Sequence, residues 1–326
     1  MKIRDFGEFP FLRRLRHRVP SDARVQLGVG DDCAALSLSG TTLLTTDALV
    51  EGVHFRCEWM PFAVLGEKAC AVNVSDIAAM GGEPTFALLS LGVPQETEVE
   101  DLDAFFDGFV HAVGAYGATL IGGNMSAAPC LMICVTLLGR APYKIITRSG
   151  ACVGDDIYVT GTLGDAALGL HALQEGRSGL HLDGVKARFL RPTIRLGVSR
   201  EIAAHHLASA MIDVSDGLLQ DLGHLCEESQ VGAVIDVSAL PLSPEYQALI
   251  GVQNWNAALT GGEDYELLFS TAEEHRAAVA QIAQSSGCAI TRIGRIMPYS
   301  DGLSVRGPDG SAYVPGRVGY DHFRQG

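Results

Sequence analysis

The chain is short of positive charge. Against 38 Asp and Glu it carries 24 Lys and Arg, a formal net charge of -14, which excludes a protein that grips a phosphate backbone through a broad basic face. Nucleic acid is therefore not an expected partner. Paired cysteines are missing too. The eight cysteines, at 33, 57, 70, 130, 134, 152, 226 and 288, include no C-x-x-C and no matching histidine spacing, so neither a zinc site nor a disulfide framework is expected and the thiols read as reduced. No apolar run approaches membrane-spanning length, and the opening "MKIRDFGEFPFLRRLRHRVP" lacks the apolar core of a signal peptide. These absences predict a soluble, cytoplasmic chain with no membrane partner. The Walker sequence G-x-x-x-x-G-K-[ST] and the H-R-D loop of protein kinases are also absent. In "GVGDDCA", residues 28–34, Cys33 stands where a dinucleotide fingerprint needs its third glycine.

What is present is length and an alternating pattern. A chain of 326 residues with 47% hydrophobic content can bury a sizeable core and exceeds the usual size of one domain, so two are expected. From 41 to 141 strand-like and helix-like segments alternate: "TTLLTTDALV", the helix "PFAVLGEKACAVNVSDIAAMGG", "TFALLSLGVP", the helix "VEDLDAFFDGFVHAVGAYG", then "ATLIGGN" and "CLMICVTLLGRA". The turn-rich "TRSGACVGDD" follows and the order begins anew. Strands are expected at "IYVTG", "GAVIDVSAL", "DYELLFST" and, last, "AITRIGRI"; helices are expected at "DAALGLHALQEG", "RPTIRLGVSREIAAHH" and "AEEHRAAVAQIAQSSG"; and "AMIDVSDGLLQDLGHLCEES" is expected as a strand that breaks into a helix. The fold class is α/β, with domains 1–147 and 148–326.

The chemistry-bearing residues are acids beside strand ends or glycine turns: Asp31, Asp32, Asp47, Asp76, Asp213 and Asp216, with Thr45, Thr46 and Ser215 beside them. All are hard oxygen donors without soft partners, a set that suits Mg²⁺ held together with substrate phosphates. Each has an ordinary alternative. A Gly-Asp-Asp turn is common surface chemistry, and the repeated Val-Ser-Asp of "NVSDIAAMGG" and "DVSDGLLQDLG" reads, one copy at a time, as a helix cap. Glycine-rich "GVGDD", "LIGGN" and "LTGGEDYE" supply backbone N–H groups of the kind that close on anions.

In chain order "GEF", "GVGDDCA", "TTDALVEGVHF", "AVNVSDIAAMGGEP", "LIGGN", "TRSGACVGDDIYVTGTLGDAALGL", "RPTIRLG", "IDVSDGLLQDLGH", "LTGGEDYEL" and "GYDHF" resemble the thiamine-monophosphate kinase family over nearly the whole length. That family belongs to the superfamily of aminoimidazole-ribotide synthetase and selenophosphate synthetase. The resemblance implies a two-domain aminoimidazole-ribotide-synthetase-like fold, an N-terminal mixed sheet with helices followed by a C-terminal α/β domain, and a homodimer formed through the N-terminal sheets. It also implies ATP-dependent phosphorylation of thiamine monophosphate to thiamine diphosphate.

By position the resemblance makes Asp32, Thr45, Thr46, Asp47, Asp76, Asp213 and Asp216 magnesium ligands, with Asp32, Asp47 and Asp216 central to catalysis. It places Gly123, Asn124, Arg148 and Ser215 at ATP, and His54, Glu263 and Tyr320 at thiamine monophosphate. Plainer roles stand beside these: a structural histidine for His54, a linker salt bridge for Arg148, a solvent-exposed strand-start acid for Glu263 and a packing anchor for Tyr320. The chain departs from the family at "GGNMSAAP", where Asn124 replaces the usual acid and offers a carbonyl oxygen without the charge. Two alternatives remain: another ATP-using enzyme of the superfamily, or a nucleotide-binding regulator without catalysis. A selenophosphate synthetase would carry a reactive Cys with a nearby Lys near the start, and a hydrogenase-maturation relative would end on cysteine where this sequence ends "DHFRQG".

Overall fold

A computed structural model describes residues 1–6, 10, 11, 14, 17–19, 22–27, 34–36, 38–315 and 319. Asp31, Asp32 and Tyr320 lie outside the described residues. The chain forms two compact units: Met1–Ile77 with Gly82–Pro142, and Ala78–Gly81 with Tyr143–Gly326. The position 147/148 expected for the boundary lies inside the second.

The first unit holds a short pair, β1 (Val25–Leu27) with β2 (Ala35–Leu36), and a four-stranded sheet. The sheet is built from β3 (Thr42–Val50), β4 (Glu83–Val93), β5 (Thr119–Ala127) and β6 (Met132–Arg140) in the order β3-β6-β4-β5. It is mixed, as expected: β6 runs antiparallel to β3 and to β4, while β4 and β5 are parallel. The helices Phe62–Ala79 and Val99–Ala115 cover one face. The first is buried along nearly its whole length, the polar Lys68, Asn73 and Ser75 included, as a helix enclosed by core is. The two helices approach so closely that a Cβ on Gly66 would meet Phe105 O at 2.1 Å and one on Gly108 would meet Ala63 O at 2.0 Å. Along β3 the burial alternates: Leu43 and Leu49 are buried, Thr45 and Asp47 half-buried on that same face, and Leu44, Thr46 and Ala48 exposed on the other.

The second unit is organised on a six-stranded sheet, order β12-β9-β11-β7-β10-β8. Its strands are β7 (Asp156–Thr160), β8 (Ala210–Val214), β9 (Gly232–Asp236), β10 (Glu266–Thr271), β11 (Ile290–Met297) and β12 (Leu303–Arg306). β12 is a strand beyond the one expected to be last, and it pairs in parallel with β9. Core covers both faces. On one, Ile157, Val159, Ile212, Val214 and Leu268 pack with Leu218, Leu222 and Leu225 of the helix Leu218–Ser229. On the other, Tyr158, Met211, Leu267 and Phe269 pack with Ile202 of Leu196–Ala204 and Val279 of Arg276–Ser286. Strands covered on both faces read as near-continuous apolar runs, which is why β7, β8 and β10 were legible.

Some expected helices move. "RPTIRLGVSREIAAHH" becomes helical only at Leu196, because Pro192 has no N–H to donate and Arg195 sits outside helical geometry at φ -89°, ψ 36°. The helix Leu180–Leu190 precedes it. Its buried side is no wider than Val185 and Phe189, too thin an apolar stripe to announce itself. Two further short helices, Pro244–Ile250 and Asn256–Thr260, also went unanticipated.

Candidate active site

In the first unit the expected donors gather where β3 faces the helix Phe62–Ala79. Thr45 Oγ1 donates to Asp76 Oδ2 at 2.5 Å, and Asp47 lies two residues on, on the same face. β3 is an edge strand, so the outward N–H of Asp47 has no ladder partner; Asn73 Oδ1 accepts it at 3.1 Å, while Asn73 Nδ2 donates to Ala69 O at 3.1 Å. Thr46 does not join this set. Period-2 alternation turns its hydroxyl to the outer face, where it donates to Val135 O at 2.9 Å. Asn124 pairs with Ser90, itself opposite Cys134 on that outer face. Gly123 faces the other way, and no side chain fits there because a Cβ would meet Leu89 O at 1.9 Å. "LIGGN" is thus strand, not an anion loop.

His54 follows β3 in a tight turn, with Gly52 at φ 85°. Its Nδ1 accepts the Val50 N–H at 3.0 Å, which makes Nε2 the protonated nitrogen of the neutral ring. A histidine already accepting a backbone hydrogen bond is suited to donate to a ligand.

In the second unit three separate motifs interlock. β8 ends at Val214, and Ser215, Asp216 and Gly217 turn the chain into the helix Leu218–Ser229. Neither Ser215 nor Asp216 caps that helix, contrary to the cap reading, and Ser75 and Asp76 of the matching motif lie within a helix. The acceptor comes from inside the helix instead: Asp221 Oδ2 takes the N–H groups of Ser215, Asp216 and Gly217, each at 3.1 Å. Gln220 Nε2 donates to Asp216 Oδ2 at 3.1 Å.

The "LTGGEDYE" loop lies directly on this turn. Glu263 N donates to Ser215 O at 2.8 Å and Tyr265 N to Val214 O at 2.8 Å. A Cβ on Gly262 would meet Ser215 O at 2.4 Å, so only glycine permits the contact. Glu263 and Tyr265 both take left-handed backbone, at φ 77° and 51°, which costs about 1–2 kcal/mol for each non-glycine residue. Between them the buried Asp264 accepts the N–H of Gly164 at 2.6 Å through Oδ2 and of Ala166 at 3.3 Å through Oδ1. That bond ties in the third motif, "TGTLGDAALG". Glu263 is therefore not the exposed strand-start acid of the plainer reading: it is half-buried, β10 begins only at Glu266, and Tyr265 OH donates to Glu263 Oε1 at 3.2 Å.

Electrostatics follow the geometry. Burial, with the nearby Asp213 and Asp216 charges adding to it, pushes the Asp221 carboxyl up to about 8. Burial also holds Asp264 well above the usual carboxylate range, against the two N–H bonds that favour its charged form. Arg148 is exposed and makes no ion pair among the described residues, so the linker salt bridge does not form there. Its main chain is pinned, because Ser229 Oγ donates to Arg148 O at 2.8 Å. Its chain neighbours Thr147 and Ser149, with Lys144, His206 and Ser209, line a cavity of about 320 Å³.

Among the described residues no group of three or more His, Cys, Asp or Glu side chains is assembled to hold a metal. The donor chemistry nevertheless fits magnesium in both units. The first offers Thr45, Asp47 and Asp76; the second has Asp213 and Asp216 near Asp221, whose carboxyl is raised first by burial and then by their charges.

Sequence reasoning missed Asn73, Asp221 and Asp264. One of the three left a trace: Asp221 shares a helix face with Leu218, Leu222 and Leu225.

Residues 30–141 match the family model of the AIR synthase related protein N-terminal domain, and residues 153–302 that of the C-terminal domain. Fold and site thus define a two-domain protein of the AIR synthase related class. The thiamine-monophosphate kinase of Escherichia coli strain K12 is 40% identical over 97% of this chain and 98% of its own, and that of Aquifex aeolicus 39% over 99% and 100%. A crystal structure of thiamine-monophosphate kinase from Stenotrophomonas maltophilia K279a superposes with a TM-score of 0.83 at 38% identity, covering 94% of this chain and 98% of that one. AaThiL complexed with AMPPCP and TMP superposes at 0.77 with 35% identity, covering 99% of both chains. The chain belongs to the thiamine-monophosphate kinase family.

Proposed function

We propose that the protein transfers the γ-phosphoryl group of ATP to thiamine monophosphate, giving thiamine diphosphate and ADP. The observation that carries this is full-length similarity to a relative complexed with AMPPCP and TMP together, with hard-oxygen donors present at the corresponding motifs of both units.

The acceptor is already an anion at neutral pH, so an acceptor phosphate oxygen attacks the γ-phosphorus in line as the bond to the ADP oxygen breaks, and no general base is required. The catalytic need is positioning and charge neutralisation. In the first unit Thr45, Asp47 and Asp76 are assigned to magnesium, Gly123 and Asn124 to the nucleotide and His54, through Nε2–H, to the acceptor. In the second, Asp213 and Asp216 are assigned to magnesium, Ser215 and Arg148 to ATP and Glu263 to the acceptor. Asp32 as a ligand and Tyr320 as an acceptor contact complete the assignment from the sequence pattern alone. Thr46, whose hydroxyl lies on the outer face, stands apart from the Thr45–Asp47–Asp76 group. Bound magnesium would neutralise the phosphate oxygens; the chain's part is to hold the carboxylates fixed.

We further place the enzyme in the cytoplasm as a homodimer. Free Cys57, Cys70, Cys130, Cys134, Cys152, Cys226 and Cys288 suit a reducing compartment, and among the described residues no helix is long and apolar enough to cross a membrane. The outer face of the first unit's sheet exposes Leu44 at 68% and Met132 at 44%, apolar surface that a second copy would cover. Product analysis tests the activity: thiamine diphosphate should form with ATP, thiamine monophosphate and magnesium, and cease with excess chelator. ATP binding without product would leave the regulator instead.

A further inference from the structure

The left-handed pair at Glu263 and Tyr265 has a physical asymmetry. Two non-glycine residues in that backbone region, one apart, persist only where the surroundings over-determine them, and here they are held from three sides. Below, their N–H groups bond Ser215 O and Val214 O; behind, Asp264 bonds Gly164 and Ala166; in front, Tyr265 OH bonds Glu263 Oε1. In this left-handed pair the Tyr265 hydroxyl lies on the Glu263 carboxylate, donating to Oε1 at 3.2 Å.

We propose that Tyr265, anchored through Asp264, is a positioning residue that fixes the Glu263 carboxylate to recognise the positive charge of the acceptor's thiazolium ring. The inference rests on the reading that Glu263 contacts the acceptor. A carboxylate held in one direction by a buried phenol meets a cationic ring without reorganising, whereas a loose one gains less from the same contact. Tyr265 touches neither nucleotide nor acceptor and acts through Glu263.

The test uses the whole enzyme and two ligands, thiamine monophosphate and its uncharged thiophene isostere, with binding read by calorimetry and KM by product formation. Tyr265→Phe removes the hydroxyl and keeps the ring. It should raise KM and Kd for thiamine monophosphate about fivefold, the worth of one hydrogen bond, leave KM for ATP within about twofold, and shrink the preference for the charged ligand over the isostere. Asp264→Asn should shift the same constants in the same direction, and Glu263→Gln should shift them further, by about tenfold or more. If Glu263→Gln leaves thiamine monophosphate binding unchanged, the acceptor reading of Glu263 falls and the inference with it. If Glu263→Gln weakens binding while Tyr265→Phe and Asp264→Asn keep full preference for the charged ligand, the inference alone is overturned. Equal losses for ATP and acceptor would assign the pair to plain structural support and overturn it as well.

Discussion

The two units present similar chemistry on opposite kinds of scaffold. In the first, Thr45, Asp47 and Asp76 project from a regular strand and a regular helix, and the bonds that steady them are short and local to that face. In the second, Ser215, Asp216 and Glu263 sit on irregular loops: the buried Asp221 accepts the N–H groups of Ser215 and Asp216, Ser215 O accepts that of Glu263, and the buried Asp264 ties the Glu263 loop to Gly164 by accepting its N–H. A strand holds direction through its ladder. A loop without a ladder needs its N–H groups satisfied by something else, and a buried carboxylate accepts several at once. The difference teaches that in the first unit a ligand can be removed without touching the frame, whereas in the second ligand and frame are harder to separate.

The sharpest way to break that comparison is Asp47→Asn. The ladder and Asn73 should hold its backbone unchanged, so turnover should fall by roughly 10²-fold, as when a charge-stabilising group is lost, with the melting temperature nearly unmoved. Product assay and thermal melting read the two sides; collapse of the fold would show that the first unit also merges ligand with frame.

Next in size is Asp221→Ala. It leaves three backbone donors without their acceptor and should cost about 2–3 kcal/mol in denaturant unfolding together with a fall in turnover. Asp221→Asn keeps one oxygen and relieves charge crowding with Asp213 and Asp216, so it should lose much less. Equal losses in the two variants would mean that charge, not acceptance of the N–H groups, is what the position supplies.

Third comes pH. Asp264 ionises at the ordinary value near 3.8 when unfolded but only well above it when folded, because burial opposes its charge. Its contribution to stability is therefore complete below the unfolded value and is lost as pH rises toward the folded one, at no more than about 1.4 kcal/mol per pH unit. Asp264→Asn should flatten that part of the stability profile. An unaltered slope would show that the second unit tolerates the ionised carboxylate.

The smallest effect belongs to Thr46→Val. With its hydroxyl on the outer face, turnover should stay within about threefold of the parent, while Thr45→Val, which loses the bond to Asp76, should lower it by about tenfold. A large loss from Thr46→Val would return that residue to the ligand set.

How much was legible divides along the same line. Apolar runs bounded by glycine and proline predicted β3 to β11, and the order of ten motifs carried the family. Alternation along β3 was legible in principle, since Thr45 and Thr46 are neighbours and must face opposite ways, yet the motif names both as magnesium ligands because motif matching is blind to faces. The left-handed backbone at Glu263 and Tyr265 left no signal, since neither residue type favours it. The grip of Asp264 on Gly164, 100 residues away, left none either.

The amino-acid sequence by itself determined the acidic, hard-oxygen chemistry, the strands and most helices, and membership of a kinase family, because composition, periodicity and local turn chemistry act over a few residues at a time. Tertiary structure alone decided which of those oxygens share a face, which acids serve the frame and not a ligand, and how three distant motifs close into one double loop. The physical reason is that burial and backbone N–H satisfaction are settled between segments far apart in the chain. A carboxylate becomes a scaffold or a ligand according to which neighbours folding brings against it.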